Sequence, residues 1–153
     1  MTRLLLGLAA LATLAPAQKR DVNIHNPPTL SKPNGYSHIA EVNSGKIVYI
    51  AGQIAADKDG KVIGKDDFPK QVQQVFENLS AATKAAGGSI SDIIKLNYYI
   101  AEKVNPDQLP KLREIRGTFL NSATPPASTL LFVHALASPD YLIEIEAVAV
   151  IGK

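Results

Sequence analysis

The sequence DFPKQVQQVFENLSAATKAAGGSISDIIKLNYYI, residues 67–100, contains two hydrophobic periodicities in succession. The first has helical spacing, begins after Asp67 as an N-cap and stops at Gly87–Gly88, which predicts an amphipathic helix. The second alternates between Ile94 and Ile100 with period two, which predicts a strand. The apolar helix positions are Phe68, Val72, Val75, Phe76, Leu79, Ala82, Thr83 and Ala86. A helix followed by a strand is therefore the centre of the predicted fold.

Working outward, the flanking sequence adds four predicted strands and one further helix. The second helix opens at Asn105-Pro106-Asp107-Gln108, a cap followed by a first-turn proline, and carries Leu112, Ile115 and Phe119 inward. The order β-β-α-β-α-β-β predicts an α+β protein built as a two-layer α/β sandwich with ferredoxin-like order. The four strands are His38–Val42 and Lys46–Ala51, predicted as a hairpin around Asn43-Ser44-Gly45, and Thr129–Leu136 and Tyr141–Ile151.

This order has a consequence for the two faces of the predicted single sheet. Two strand-helix-strand crossovers of the usual right hand place both helices on one face and leave the other bare. Yet Ile47–Ala51 and Leu130–Val133 are apolar on both sides, so the bare face would expose an apolar patch. Burying about 1,000 Å² of it at about 25 cal/mol per Å² is worth on the order of 25 kcal/mol before association costs. We therefore expect a homo-oligomer packed sheet to sheet.

Composition excludes several classes of protein. The 153 residues are 46% hydrophobic, carry a formal charge of +2 and include no cysteine. A chain of this size forms one domain, and without cysteine it has no disulfide, thiolate metal site or cysteine nucleophile. Near-neutral charge gives no general attraction to nucleic acid or anionic membranes, so neither is an expected partner. The histidines lack metal-ligand spacing, so no metal is expected.

The N-terminus is typical of a targeting segment. Arg3 precedes the apolar run Leu4–Leu14, and Ala15-Pro16-Ala17 has the small-x-small pattern of a signal-peptidase site. We expect a cleaved signal peptide over residues 1–17 and export, to the periplasm or beyond; the alternative is an N-terminal helix of the fold. Residues 18–35 predict an extended lead-in without a regular element, and the domain covers residues 36–153.

Several motifs, in order and spread over most of the chain, resemble the Rid family, also called YjgF or L-PSP. They are Gly35-Tyr36-Ser37, Ala51-Gly52-Gln53, Ser91-Asp92-Ile93-Ile94-Lys95, Pro126-Ala127 and Ile143-Glu144-Ile145-Glu146-Ala147. The resemblance implies a chorismate-mutase-like fold, a homotrimer and small-molecule pockets between its subunits. It also implies hydrolysis of reactive enamines and imines, such as 2-aminoacrylate, to carbonyl compounds and ammonia without a cofactor.

The resemblance further implies which residues are catalytic and which bind the substrate. Glu144 matches the family's glutamate and would activate water, a task that suits a carboxylate, and Tyr36 matches its tyrosine. Ser128, Thr129 and Gly52 fall at substrate-binding positions. Members active as deaminases have Pro-Ala-Arg-Ser where this chain has Pro126-Ala127-Ser128-Thr129. The arginine that grips the substrate carboxylate is therefore replaced by Ser128, which puts 2-aminoacrylate itself in question.

Arg113 offers a replacement cation from another element. It lies in the second predicted helix and aligns with a family asparagine near the pocket, so it could supply the missing charge; the alternative is that Arg113 and Arg116 both lie on a solvated helix face.

Three functions of different class remain open. The first is hydrolysis of enamines or imines, and the second is non-catalytic binding of a small metabolite by an exported trimer. The third is the ribonuclease activity that the L-PSP name implies, for which no basic stripe with interleaved aromatic residues is visible.

Overall fold

The computed structural model describes residues 19–152. Six strands and two helices make up the fold: β1 (Asp21–His25), β2 (Ile39–Ser44), β3 (Lys46–Ile54), α1 (Phe68–Ala85), β4 (Ile93–Ala101), α2 (Leu109–Phe119), β5 (Ala127–Val133) and β6 (Ile143–Ile151). Single 3₁₀ turns precede β4 at Ile90–Asp92 and α2 at Pro106–Gln108. Within the described residues, no helix combines the length and the apolar character needed to cross a membrane.

Four strands form the main sheet, in the order β3-β6-β4-β5. β4 pairs in parallel with β5, and β6 runs antiparallel to both β3 and β4. The two crossovers, β3-α1-β4 and β4-α2-β5, both pack their helices against the same face, where Phe76, Leu79, Tyr98 and Ile145 are fully buried. The predicted α+β architecture with two layers is confirmed.

Local sequence explains where α1 begins and ends. The Asp67 carboxylate accepts a hydrogen bond of 3.0 Å from the Lys70 backbone N–H, which satisfies a donor that the first turn leaves unpaired. At the other end Gly87 adopts φ +94°, a conformation that glycine tolerates and that stops the helix. The buried stripe follows the predicted periodicity: Phe68, Gln71, Val72, Val75, Phe76, Leu79 and Thr83.

The second helix also begins as predicted, through the Asn105 side chain, which accepts a hydrogen bond of 2.9 Å from the Asp107 N–H. Leu112 is buried, and Phe119 stacks on Phe76 of α1 with ring centroids 5.3 Å apart. This contact joins the two helices into one layer.

Two expectations about the N-terminal region are wrong. The lead-in contains a strand, β1, and β2 pairs with it rather than forming a hairpin with β3, so the strands do not form a single sheet. Gly45 adopts φ +128° and lies against Val150, where a Cβ would come 2.5 Å from Cγ1. A glycine in this conformation lets the chain leave one sheet and enter the other without a hairpin.

Other boundaries shift by a few residues. β3 continues beyond Ala51, β5 starts and ends earlier than Thr129–Leu136, and β6 begins at Ile143 rather than Tyr141.

The face of the main sheet opposite the helices is apolar and exposed, as predicted. Tyr49 is 81% exposed, and Ile47 and Leu131 are each 49% exposed. We refer to this surface, formed by outward residues of β3 to β6, as the sheet face.

Candidate functional site

The six residues predicted for the site lie in two places in the protomer. Tyr36, Arg113, Ser128 and Thr129 line a cavity of about 440 Å³ between the loop before β2, helix α2 and strand β5. We call it the α2 cavity. Glu144 lines an open depression of about 410 Å³ on the sheet face, and Gly52 lies beside it. The protomer alone therefore does not bring Glu144 to the cavity that holds Tyr36.

Glu144 lies on Gly52. A Cβ at Gly52 would come 1.8 Å from Glu144 Oε1, so only a residue without a side chain leaves room for the carboxylate. The β3–β6 register shifts between Ile50 and Gln53, and this irregularity positions Gly52 against β6. Asn78 of α1 holds the end of β3 by donating to the Ile54 and Ala56 carbonyls, each at 2.9 Å. The backbone of β3 therefore determines how closely Gly52 approaches Glu144.

The neighbouring acid, Glu146, is engaged by other side chains. Asn97 Nδ2 and the Tyr99 hydroxyl both donate to Glu146 Oε1, the latter at 2.9 Å. These two hydrogen bonds lower the pKa of Glu146 because they favour its charged form. Glu144 forms no hydrogen bond or ion pair with another residue of the described part of the chain, so its oxygens can accept a proton from water. Glu146 is therefore a structural acid, whereas the Glu144 carboxylate is available for chemistry.

Thr129 faces away from Ser128, as neighbours in a strand do. Its hydroxyl accepts a hydrogen bond of 2.8 Å from Lys95 Nζ on the sheet face, whereas Ser128 pairs in register with Leu96, whose side chain is buried beneath the helices. Burial lowers the pKa of Lys95. Thr129 therefore borders the α2 cavity, but its hydroxyl is engaged on the sheet face, and Ser128 is the hydroxyl on the helix side.

Tyr36 is held at the mouth of the α2 cavity. Its ring packs edge-to-face on His38, with centroids 5.3 Å apart and an interplanar angle of 80°. The next residue, Ser37, donates its N–H to the Pro126 carbonyl at 3.1 Å and bridges to Ala127. These contacts fix the Tyr36 loop to the start of β5.

Two further residues of the α2 cavity were not among the predicted site residues. Arg116 lies one turn after Arg113 on α2, and Tyr98 projects from β4 beneath it. The spacing of three residues between the arginines was visible in the sequence and predicts a shared helix face. Tyr98 shares the apolar face of β4 with Ile94, Leu96 and Ile100, and this alternation gives no sign that its hydroxyl reaches a cavity. No cluster of metal-ligating side chains occurs within residues 19–152.

The chain is similar to known proteins in sequence and in fold. Residues 29–151 match the family model described as endoribonuclease L-PSP. The chain belongs to the Rid (YjgF/L-PSP) family. A Rid-family crystal structure from Yersinia pestis has a TM-score of 0.77 at 35% identity, covering 85% of this chain and 98% of that one. A RidA from an Antarctic Psychrobacter has a TM-score of 0.61 at 30% identity, covering 84% and 98%.

Curated members of the Rid family are similar over most of their length. A RutC family protein of Pyrococcus horikoshii is 36% identical over 109 residues, which cover 71% of this chain and 82% of that protein. A protein of Dermatophagoides farinae named 2-iminobutanoate/2-iminopropanoate deaminase is 30% identical over 125 residues, covering 81% and 92%. The predicted family and fold are thus confirmed.

Proposed function

We propose that this Rid-family protein binds small metabolites between subunits and hydrolyses an enamine or imine to a carbonyl compound and ammonia. The observation that carries the proposal is the unengaged Glu144 carboxylate, seated on Gly52 beside an open depression. The name of the Dermatophagoides relative, an imine deaminase, supports the reaction class. The substrate positions are those of the α2 cavity, Tyr36 and Ser128, and no cofactor is needed for the hydrolysis.

The reaction needs one base and balances with water alone. Glu144 removes a proton from a water molecule as the water oxygen bonds to the imine carbon, and the protonated Glu144 passes that proton to the imine nitrogen, which gives a neutral carbinolamine. Glu144 then takes the proton of the carbinolamine hydroxyl as the C=O bond forms and delivers it to the nitrogen, so that the C–N bond breaks and ammonia leaves. Glu144 ends the cycle as a carboxylate.

We propose that two copies complete each site within a homotrimer. Glu144 pairs in register with Tyr99 on the sheet face, while Ser128 pairs with Leu96 on the helix side. Because the sheet separates these side chains in one protomer, a ligand in the α2 cavity needs Glu144 from a neighbouring copy. The exposed Tyr49 and Leu131 support such packing, since their burial favours association.

The second candidate is a non-catalytic exported trimer that binds a metabolite in the same cavity. Ser128 favours it, because a neutral hydroxyl holds a carboxylate less strongly than an arginine does. Residues 1–17, the proposed signal peptide, lie outside the described residues, and export to the periplasm or beyond is part of this proposal. Endoribonuclease activity, which the name of the matching family model suggests, ranks third because the near-neutral chain offers no basic stripe.

The test measures keto acid and ammonia from imines generated in place by an amino-acid oxidase, above the spontaneous rate. We expect the wild type to accelerate release and Glu144→Gln to lose about 100-fold or more of that rate, as for loss of a general base. Glu77→Gln is the matched control, since Glu77 is exposed on α1 and bonded only to Gln73. Wild-type activity in Glu144→Gln would contradict the mechanism, and no release from any imine by a ligand-binding wild type would favour the binder.

A further inference from the structure

The α2 cavity is positively charged without a compensating acid. Arg113 and Arg116 both line it, and no aspartate or glutamate does. Neither arginine forms an ion pair with a carboxylate among residues 19–152. Two guanidinium groups that line one cavity repel each other when no acid lies between them. An anionic ligand would remove that repulsion.

A second observation points to a ligand at the same place. Tyr98 is 2% exposed and lines the α2 cavity, yet its hydroxyl proton has no acceptor among the described residues, because the polar group near it is the Arg116 guanidinium, which can only donate. Burial raises the pKa of Tyr98 to about 12, and the nearby Arg116 opposes this only in part, so the hydroxyl remains a donor. A buried donor without an acceptor destabilises the protein, because the group has lost its hydrogen bonds to water. A ligand oxygen in the cavity would satisfy it.

Arg116 is better placed than Arg113 to form this site. It is half-buried, whereas Arg113 is exposed. Its Nη2 lies where a Cβ of Gly35 would be only 2.5 Å away, so the glycine leaves room for the guanidinium against the backbone. The same guanidinium is close enough to Tyr98 to affect its ionisation. The Arg116 guanidinium on α2 and the Tyr98 hydroxyl on β4 are thus neighbouring hydrogen-bond donors in the α2 cavity.

We propose that Arg116 and the Tyr98 hydroxyl form a carboxylate-binding subsite in the α2 cavity, with Arg113 adding long-range charge. The planar guanidinium fits the two oxygens of a carboxylate, and the phenol adds a third donor. Leu109, Leu112 and Leu130 line the rest of the cavity, which suits a short hydrocarbon chain attached to the carboxylate. The subsite supplies from α2 the cation that Ser128 does not supply from β5. This inference depends on the proposed function only in that both place the ligand in the α2 cavity.

The probe is 2-oxobutanoate, titrated calorimetrically into the mature assembled protein, with butanone as its uncharged analogue and inorganic phosphate as a second anion. We expect 2-oxobutanoate to bind, butanone to bind at least about tenfold more weakly, and Arg116→Ala to weaken 2-oxobutanoate about tenfold or more. Tyr98→Phe should weaken it about threefold to tenfold, as expected for one lost hydrogen bond.

Two variants separate this role from folding. Arg116→Lys keeps the charge but not the fork and should bind between wild type and Arg116→Ala. Lys111→Ala is the matched control, because Lys111 is a cation of the same helix that lies outside the α2 cavity and pairs with Glu114, and it should leave the affinity for 2-oxobutanoate unchanged. Thermal melting checks that each variant is folded.

Several results would overturn the inference. They are the absence of 2-oxobutanoate binding, equal binding of butanone or phosphate, and an unchanged affinity in folded Arg116→Lys and Tyr98→Phe. Binding that depends on Arg116 without any imine hydrolysis would support the subsite and refute the enzyme. Imine hydrolysis that is unchanged by substitution of Arg116 and Tyr98 would support the enzyme and refute the subsite.

Discussion

The Glu144 carboxylate rests on the α-carbon of Gly52, although the two residues are 92 positions apart, and a Cβ on Gly52 would lie 1.8 Å from Oε1. Two strands, β3 and β6, bring them together at an irregular register. This contact makes Gly52 a positioning residue for Glu144.

Gly52→Ala tests that relationship. The backbone at Gly52 is not in the left-handed region, and the clashing atom is the end of a flexible side chain, so the methyl group should displace the carboxylate with little loss of stability. We expect imine hydrolysis to fall about 10-fold to 100-fold, mainly in kcat, with a melting temperature near that of the wild type. Gly117→Ala in α2, where a Cβ meets nothing within 4 Å, is the control and should raise stability by about 0.5–1 kcal/mol. Unchanged kcat in Gly52→Ala would contradict the account.

Tyr49→Lys tests the sheet face as the interface between copies. Tyr49 is the most exposed large hydrophobic side chain of the described residues, at 81%, and a charge buried between sheets is costly. Sedimentation should show a trimer for the wild type and smaller species for the variant at micromolar concentration. Leu30→Lys is the control, because Leu30 is 52% exposed but lies outside the main sheet. A Tyr49→Lys protein that remains trimeric would exclude this face from the interface.

Gln71→Leu tests a buried polar contact that holds the loop before β6. Gln71 Nε2 donates to the Gly64 and Asp140 carbonyls at 3.2 and 2.7 Å, and Oε1 accepts from the Leu142 N–H at 2.8 Å. Leucine leaves these backbone groups unpaired, so we expect the free energy of unfolding to fall by about 2–4 kcal/mol in urea titrations. Thr83→Val is the control on the same helix, since the Thr83 hydroxyl bonds only to carbonyls of the preceding turn. An equal loss of unfolding free energy in both variants would show that removing any buried polar group from α1 has this effect, and that the contact with the loop adds nothing.

Tyr98 predicts a specific sensitivity to alkali. Its pKa is about 12 in the folded protein against about 10 in an unfolded chain, so between pH 10 and 12 the unfolded state ionises first and stability falls. Between pH 8 and 11 the wild type should lose about 1.4 kcal/mol more than Tyr98→Phe, which cannot ionise there. Chemical unfolding at both pH values measures the difference. Parallel losses in the two proteins would show that the phenol ionises as readily folded as unfolded.

The fold was largely predictable because its centre obeys simple periodicities. The Asp67 cap, the α1 stripe and the alternation of β4 are local patterns, and the two crossovers follow from their order. The strand β1 also had a signal, the alternation of Val22 and Ile24, which the surrounding prolines and asparagines obscured. The pairing of β2 with β1 depends on the turn at Gly45, and a sequence does not reveal which of two strands will be the partner.

The site was less predictable, because it depends on contacts between distant segments. Nothing near Arg116 in the sequence indicates that Gly35 makes room for its guanidinium, or that the hydroxyl of Tyr98 reaches the same cavity. The placement of Glu144 and Tyr36 in one site came from family resemblance, and the protomer places them in separate depressions.

The central claim is that Glu144 of one copy and the α2 cavity of another act on the same ligand. Co-expression of Glu144→Gln and Tyr36→Ala chains with different tags, followed by purification on both tags, yields mixed trimers whose hydrolysis can be compared with each parent. If each site draws on two copies, every trimer that carries both tags holds one intact site among its three, about a third of the wild-type sites, because one neighbouring pair combines an intact Glu144 with an intact Tyr36. Mixed trimers no more active than either inactive parent would contradict the shared site.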